Sequence, residues 1–213
     1  MAGFHVTFMI RLRITQKKDS THMKKSVLLS ILVLWTGIGV AQAAEKRETA
    51  TFAAGCFWGT EEFFRKVPGV VETQVGYTGG KSKADYKQVS GGTTGHAESL
   101  ELKFDPKKVS YEKLLTLFFK MHDPTTPNQQ GNDVGSQYRS AIFTHSKAQQ
   151  KIAIEVKKKV EKSGAWKAPI STEIMPAGPF YMAEEYHQHY LVKNPGGYDN
   201  HYLRDLNFDE VKK

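Results

Sequence analysis

Between residues 49 and 144 the apolar side chains keep two rhythms in a fixed order, and that order constrains the fold more than composition does. Within 49–54, Ala50, Phe52 and Ala54 alternate with smaller residues, the period of a strand. Gly55 breaks the run. Residues 57–66 then take helical spacing, with Glu61 and Glu62 in the early turns, until Pro68-Gly69 stops them. Valines and alternation make 70–77 a strand, and 97–104 alternates again through Leu100, Leu102 and Phe104. Ser110 caps a helix whose apolar face is Leu114, Leu115, Leu117, Phe118 and Met121, and 138–144 is the next strand. The order β-α-β-β-α-β predicts an α+β two-layer sandwich. It is the ferredoxin-like plait, an antiparallel sheet with helices on one face. Beyond it come extra C-terminal elements: a helix over 147–162 capped by Ser146, a strand over 170–175, a helix over 183–192, and coil from Asn194. Residues 78–95 form a long Gly/Ser/Lys-rich loop, a length usually kept for function.

The first 43 residues predict a signal peptide region. Met23-Lys24-Lys25 is a positive start, residues 27–40 are apolar and uncharged, and Ala41-Gln42-Ala43 is a small-x-small cleavage pattern. The apolar stretch is short for a membrane span, which needs about 20 residues. The twenty-two residues before Met23 are long for such a start, so Met23 is expected to be the true one. The catalytic domain would then occupy 44–213, in an exported, periplasmic protein. The formal net charge of +8 misleads, because six of the 30 basic residues (Arg11, Arg13, Lys17, Lys18, Lys24, Lys25) precede Ala44 and only one acid, Asp19, does. The remainder is too nearly balanced to argue for nucleic acid. The run Lys157-Lys158-Lys159 lies on a helix with Glu155 and Glu161 and reads as a solvated face.

One cysteine, Cys56, stands in the whole chain. An unpaired cysteine in an exported protein points to a reactive thiol or an intermolecular bridge. Cys56 sits where a strand hands over to a helix, and free N–H groups with the positive dipole end favour a thiolate there. Gly55 and Gly59 are expected to open this turn to substrate. Phe57 and Trp58 follow, and two consecutive large residues cannot both face a helix's core side, so at least one lines a pocket. Glu98 begins an otherwise apolar strand. In an apolar pocket its carboxyl would be held protonated and serve as an acid; an exposed strand residue is the equal alternative. The polar, turn-rich run Gly131-Asn132-Asp133-Val134-Gly135-Ser136-Gln137-Tyr138-Arg139 can bring Asp133 and Tyr138 to a site. Tyr186 and Tyr190 share a helix face if 183–192 is a helix, and packing explains such a stripe as well as function does.

Five runs, in order, carry a specific resemblance: Gly55-Cys56-Phe57-Trp58-Gly59, Gly76-Tyr77-Thr78-Gly79-Gly80, Thr94-Gly95-His96-Ala97-Glu98, Gly135-Ser136-Gln137-Tyr138-Arg139 and Glu185-Tyr186-His187-Gln188. They resemble the peptide methionine sulfoxide reductases of type A across nearly all of the mature chain. The resemblance implies reduction of the S epimer of methionine sulfoxide, free or in proteins, with no metal or organic cofactor. It implies Cys56 as nucleophile and Phe57 with Trp58 as the methyl-binding aromatic pair. Glu98 would be the acid that protonates the departing oxygen, with Tyr86 and Tyr138 as hydroxyl donors, and Asp133 and Tyr190 would complete the site. The attack would leave Cys56 as a sulfenic acid.

The departure from that family is in the tail. Many members carry a resolving cysteine just after an Asn-Pro-x-Gly-Tyr run. Here Asn194-Pro195-Gly196-Gly197-Tyr198 is followed by Asp199. An external thiol must therefore resolve Cys56, through a mixed disulfide with a thioredoxin-like domain or a small thiol. A monomer is expected. Two rivals remain on the sequence alone: a cysteine hydrolase pairing Cys56 with His96, His187 or His201, and a metal-binding module of His187, His189 and His201.

Overall fold

Alternation in the strands sorts their side chains onto two sheet faces, and the helices settle on the more apolar one. A computed structural model describes residues 46–210, so the expected leader lies outside the described residues. The elements are β1 (Glu48–Ala54), α1 (Phe57–Phe64), β2 (Val70–Thr78), α2 (Tyr86–Ser90), β3 (Ala97–Phe104), α3 (Tyr111–Met121), β4 (Gln129–Gln130), β5 (Asp133–Val134), a 3-10 turn at Ser136–Tyr138, β6 (Ser140–Thr144), α4 (Lys147–Ser163), β7 (Glu173–Pro176), β8 (Tyr181–Met182) and α5 (Tyr190–Lys193).

The main sheet has six strands in the order β7-β6-β1-β3-β2-β8. Its inner four, β6-β1-β3-β2, are antiparallel throughout, which is the expected plait. Glu48 opposes Phe104 and Phe52 opposes Leu100 between β1 and β3. Expectation and structure part at the edge: β7 runs parallel to β6. A parallel neighbour needs a crossover, and α4 supplies it.

Ala50, Phe52, Ala54, Leu100, Leu102, Phe104 and Ile142 face the helices and join Phe64, Leu114, Leu115, Phe118, Ala153 and Val160 in one core. Phe52 lies 5.3 Å from Phe64 and 5.4 Å from Phe118 between ring centroids, so it ties β1 to α1 and α3. Truncating such a ring costs about 3–5 kcal/mol. The opposite face carries the smaller cluster of Ala53, Ala97, Ala141 and Phe143. Ser110 and Ser146 cap α3 and α4 as read, each accepting the N–H three residues on.

Four local expectations need correction. The 78–95 segment is not all loop: Asp85 makes a reciprocal capping box with Gln88 and starts α2. The strand expected over 138–144 begins at Ser140, because Tyr138 closes the 3-10 turn. The strand expected over 170–175 is Glu173–Pro176, since the Ser171 N–H is taken by the Pro124 carbonyl instead. The helix expected over 183–192 is a series of turns followed by the short α5, because its polar side chains bind other elements rather than leaving the segment to coil regularly.

Candidate active site

Cys56 is the N-cap residue of α1, half-buried, one residue past the Gly55 turn. Gly55 has φ +93, a conformation that costs glycine little and other residues much. The helix start gives the sulfur what the sequence promised, since the N–H groups of Trp58 and Gly59 pull the thiol pKa down. They do not win. Burial first, and then the nearby Glu98 charge, hold Cys56 well above the ordinary thiol range, so the resting group is the thiol rather than the expected thiolate.

Glu98 shares a strand face with Leu100 and Leu102 and is 3 % exposed, which decides against the exposed-strand alternative. Its Oε2 accepts the Phe57 N–H at 3.1 Å, which sets the carboxyl against the residue after Cys56. Burial pushes the Glu98 pKa up to about 8 against the opposing pull of that hydrogen bond, with Asp133 raising it further. Tyr86 and Tyr138 are both raised, by burial first and by Glu98 next, so each stays a neutral hydroxyl donor. Cys56, Glu98, Tyr86, Tyr138 and Asp133, from four separate stretches of chain, thus meet within each other's electrostatic reach. Asp133 is fixed by the tail: its Oδ2 accepts from the Tyr198 hydroxyl at 3.2 Å and the Asn200 amide at 3.0 Å.

The aromatic residues divide their work. Phe57 is 1 % exposed and packs in the core, 5.8 Å from the Tyr77 ring. Trp58 is the more open of the two and stacks on Tyr190, with centroids 3.7 Å apart and planes 12° from parallel. Gly59 is not open to substrate as expected. A Cβ there would land 2.1 Å from Asp199 Oδ1, so the tail itself lies against α1. His201 secures that approach, its Nε2 2.6 Å from the Ala54 carbonyl and its Nδ1 3.1 Å from Asp199.

The histidines of both rival readings bond to partners other than Cys56: His201 as above, and the His189 ring, 3.2 Å from Glu61. His96 holds the Gly80 N–H and the Ser82 carbonyl, and the Trp58 indole donates to His187. Among the described residues no group of three His, Cys, Asp or Glu side chains is arranged to hold a metal ion. Sequence reasoning missed Glu61, buried in α1, and the tail residues Tyr198 and Asn200. Glu61 had a legible signal: Phe57, Thr60, Glu61 and Phe64 follow the spacing of one helix face.

A buried carboxyl beside the lone cysteine at a helix start, on an α+β plait, sits in a chain that comparison with known proteins places among the oxidoreductases. Residues 48–213 match the model of the peptide methionine sulfoxide reductase family, and the chain belongs to that family. A Methanosarcina acetivorans relative, peptide methionine sulfoxide reductase MsrA, is 58% identical over 150 residues, covering 70% of this chain and 80% of the relative. Reduced Mxr1 of Saccharomyces cerevisiae superposes with a TM-score of 0.71 at 45% identity, over 75% of this chain and 93% of that one. Mxr1 in complex with Trx2 gives 0.52 at 31% identity, over 76% and 93%. The activity is that of a peptide-methionine (S)-S-oxide reductase.

Proposed function

We propose that this reductase works through a Cys56 sulfenic acid that an outside thiol must clear. The observation carrying the reading is Glu98, a buried carboxyl held protonated at neutral pH and bonded to the residue after Cys56. Glu98 gives its proton to the sulfoxide oxygen, and the resulting carboxylate accepts the Cys56 thiol proton as the sulfur attacks. The S–O bond of the substrate breaks and oxygen ends on Cys56 as a sulfenic acid. The substrate sulfur gains two electrons and Cys56 loses two, with no net proton consumed. Tyr86 and Tyr138 supply further hydroxyl donors, and Trp58 with Tyr190 forms an apolar wall for the methyl group.

Regeneration needs two thiols. The first condenses with the sulfenic acid, releasing water and leaving a mixed disulfide; the second displaces Cys56 as a free thiol. The single cysteine of the sequence supports this route, and the yeast relative in complex with Trx2 supports a thioredoxin-like donor. The leader pattern before Ala44 supports work on oxidised proteins outside the cytoplasm, and N-terminal sequencing of the mature protein tests that part. For the chemistry, the enzyme is mixed with a methionine S-sulfoxide peptide and a sulfenate trap, without reductant, and weighed. One trapped adduct per chain, absent in Cys56→Ser, is the expected result. Sulfoxide reduction by Cys56→Ser would sink the mechanism.

A further inference from the structure

We propose that His187 is a positioning residue for sulfoxide binding: its Nδ1 anchors the indole of Trp58 and so sets the aromatic wall of the pocket. The inference rests on the reading of Trp58 as part of that pocket. Trp58 Nε1 lies 3.0 Å from His187 Nδ1. An indole N–H can only donate, so Nδ1 accepts and the imidazole proton sits on Nε2. Nε2 is buried with no hydrogen-bond partner, and Glu184 Oε2 stands 4.0 Å away. The ring has little room to turn. It is 2 % exposed and packed among Phe57, Tyr86 and Tyr186 at centroid distances of 5.1, 4.6 and 4.2 Å. Trp58 is therefore held at its polar edge by His187 and across its face by Tyr190.

The two residues after His187 show why the anchor is firm. Gln188 closes on the β2 backbone, its Oε1 accepting the Val75 N–H and its Nε2 donating to the Val75 carbonyl, both at 2.9 Å. His189 adopts φ +51, in the left-handed region that non-glycine residues avoid. Glu61 holds it there: Oε2 accepts the His189 N–H at 2.8 Å, and Oε1 lies 3.2 Å from the His189 ring. Trp58 and Glu61 are three residues apart on α1 and share a face. One helix thus grips residues 187 and 189, β2 grips 188, and the chain leaves this clamp with Tyr190 laid on Trp58. The carrier of the reacting cysteine and the aromatic wall are locked as one unit.

The test combines four variants, His187→Ala, His187→Asn, Trp58→Phe and the His187→Ala/Trp58→Phe pair, with two readouts. One is kinetics on a methionine S-sulfoxide peptide with excess thiol; the other is the NMR resonance of the Trp58 indole N–H. His187→Ala is expected to raise KM about tenfold, the size of one lost hydrogen bond, with kcat little changed. It should also move the indole resonance. His187→Asn, whose amide oxygen stands near the place of Nδ1, should restore both. In Trp58→Phe, which keeps a ring but has no donor, adding His187→Ala should change KM no further. An unmoved resonance or KM in His187→Ala, or the full effect persisting in Trp58→Phe, overturns the proposal. If His187→Ala does not fold, His187→Leu, which fills the ring's place without an acceptor, replaces it both alone and beside Trp58→Phe. Wild-type KM in a fifth variant, Trp58→Ala, would instead sink the pocket reading, while the indole resonance in His187→Ala reports on the hydrogen bond separately.

Discussion

At the scale of single residues, the site turns on two acids that both hold their protons. Burial does this to Cys56 and to Glu98 alike, and each would resist ionising more if the other were charged. In the proposed mechanism a sulfoxide supplies what the pair lacks, a basic oxygen that takes the Glu98 proton and leaves a carboxylate to receive the one from Cys56. The sign of the pH dependence follows. The working form of Glu98 is the acid, so turnover is expected to fall as pH rises through about 8, the raised value of that carboxyl. Glu98→Gln should lower kcat by about 10²–10⁴, the usual worth of general acid catalysis. It should also abolish the alkaline fall, while substrate binding changes little. A pH–rate profile of both proteins at saturating sulfoxide checks this; an unchanged rate at neutral pH in the Gln variant would rule Glu98 out as the acid.

At the scale of elements, α1 does most of the organising, and its role was only half legible in the sequence. Its start at Phe57 followed from the Gly55 break, and its apolar face from simple spacing. Its polar grips did not, because Glu61 and Trp58 bind residues more than a hundred positions away. The same cause explains the missing helix over 183–192. Propensity favours a helix there, but Gln188 finds a strand backbone and Glu184 accepts from the Tyr77 hydroxyl and the Tyr86 N–H. The strand Ala97–Phe104 read correctly because Leu100, Leu102 and Phe104, spaced two apart, all turn into the main core, a rhythm visible in local sequence. Gly59 gives this scale its prediction. Asp199 and His201 side-chain atoms lie 2.1 and 2.3 Å from where its Cβ would stand. Gly59→Ala is expected to push the tail off α1 and destabilise the fold by about 1–3 kcal/mol. A lower Tm together with new proteolysis within the tail would bear this out, and wild-type behaviour in both would show that the tail yields freely.

At the scale of the whole molecule, two long-range ties set stability and redox behaviour. His122 joins α3 to β6, with Nδ1 2.7 Å from the Phe118 carbonyl and Nε2 2.8 Å from the Ser140 hydroxyl. Burial drives its pKa down to about 3, below the unfolded value near 6.5, so the unfolded chain takes up the proton first. Stability contributed by this group is complete above pH 6.5 and drains away as pH falls toward 3. The slope is about 1.4 kcal/mol per pH unit, and urea unfolding at pH 7 and 5 should show it weakened in His122→Gln. The other tie is the tail. Beyond its contacts with α1, the Tyr202 N–H donates to the Met121 carbonyl and the Arg204 N–H to the Lys120 carbonyl, so the segment returns across the end of α3. This path carries Asp199 to within contact of Gly59, three residues on from Cys56, while His201 touches the Ala54 carbonyl on the other side. The tail position at which the family resemblance implies a resolving cysteine thus lies against the helix that starts at Cys56. Asp199→Cys also removes the carboxylate that holds His201, which loosens the tail for the short movement a disulfide needs. After one turnover without reductant, Asp199→Cys should carry an intramolecular disulfide, two mass units below its reduced form, and lose the sulfenate adduct that the parent gives. A variant that still traps as a sulfenic acid would show that the anchored tail keeps residue 199 out of reach of Cys56.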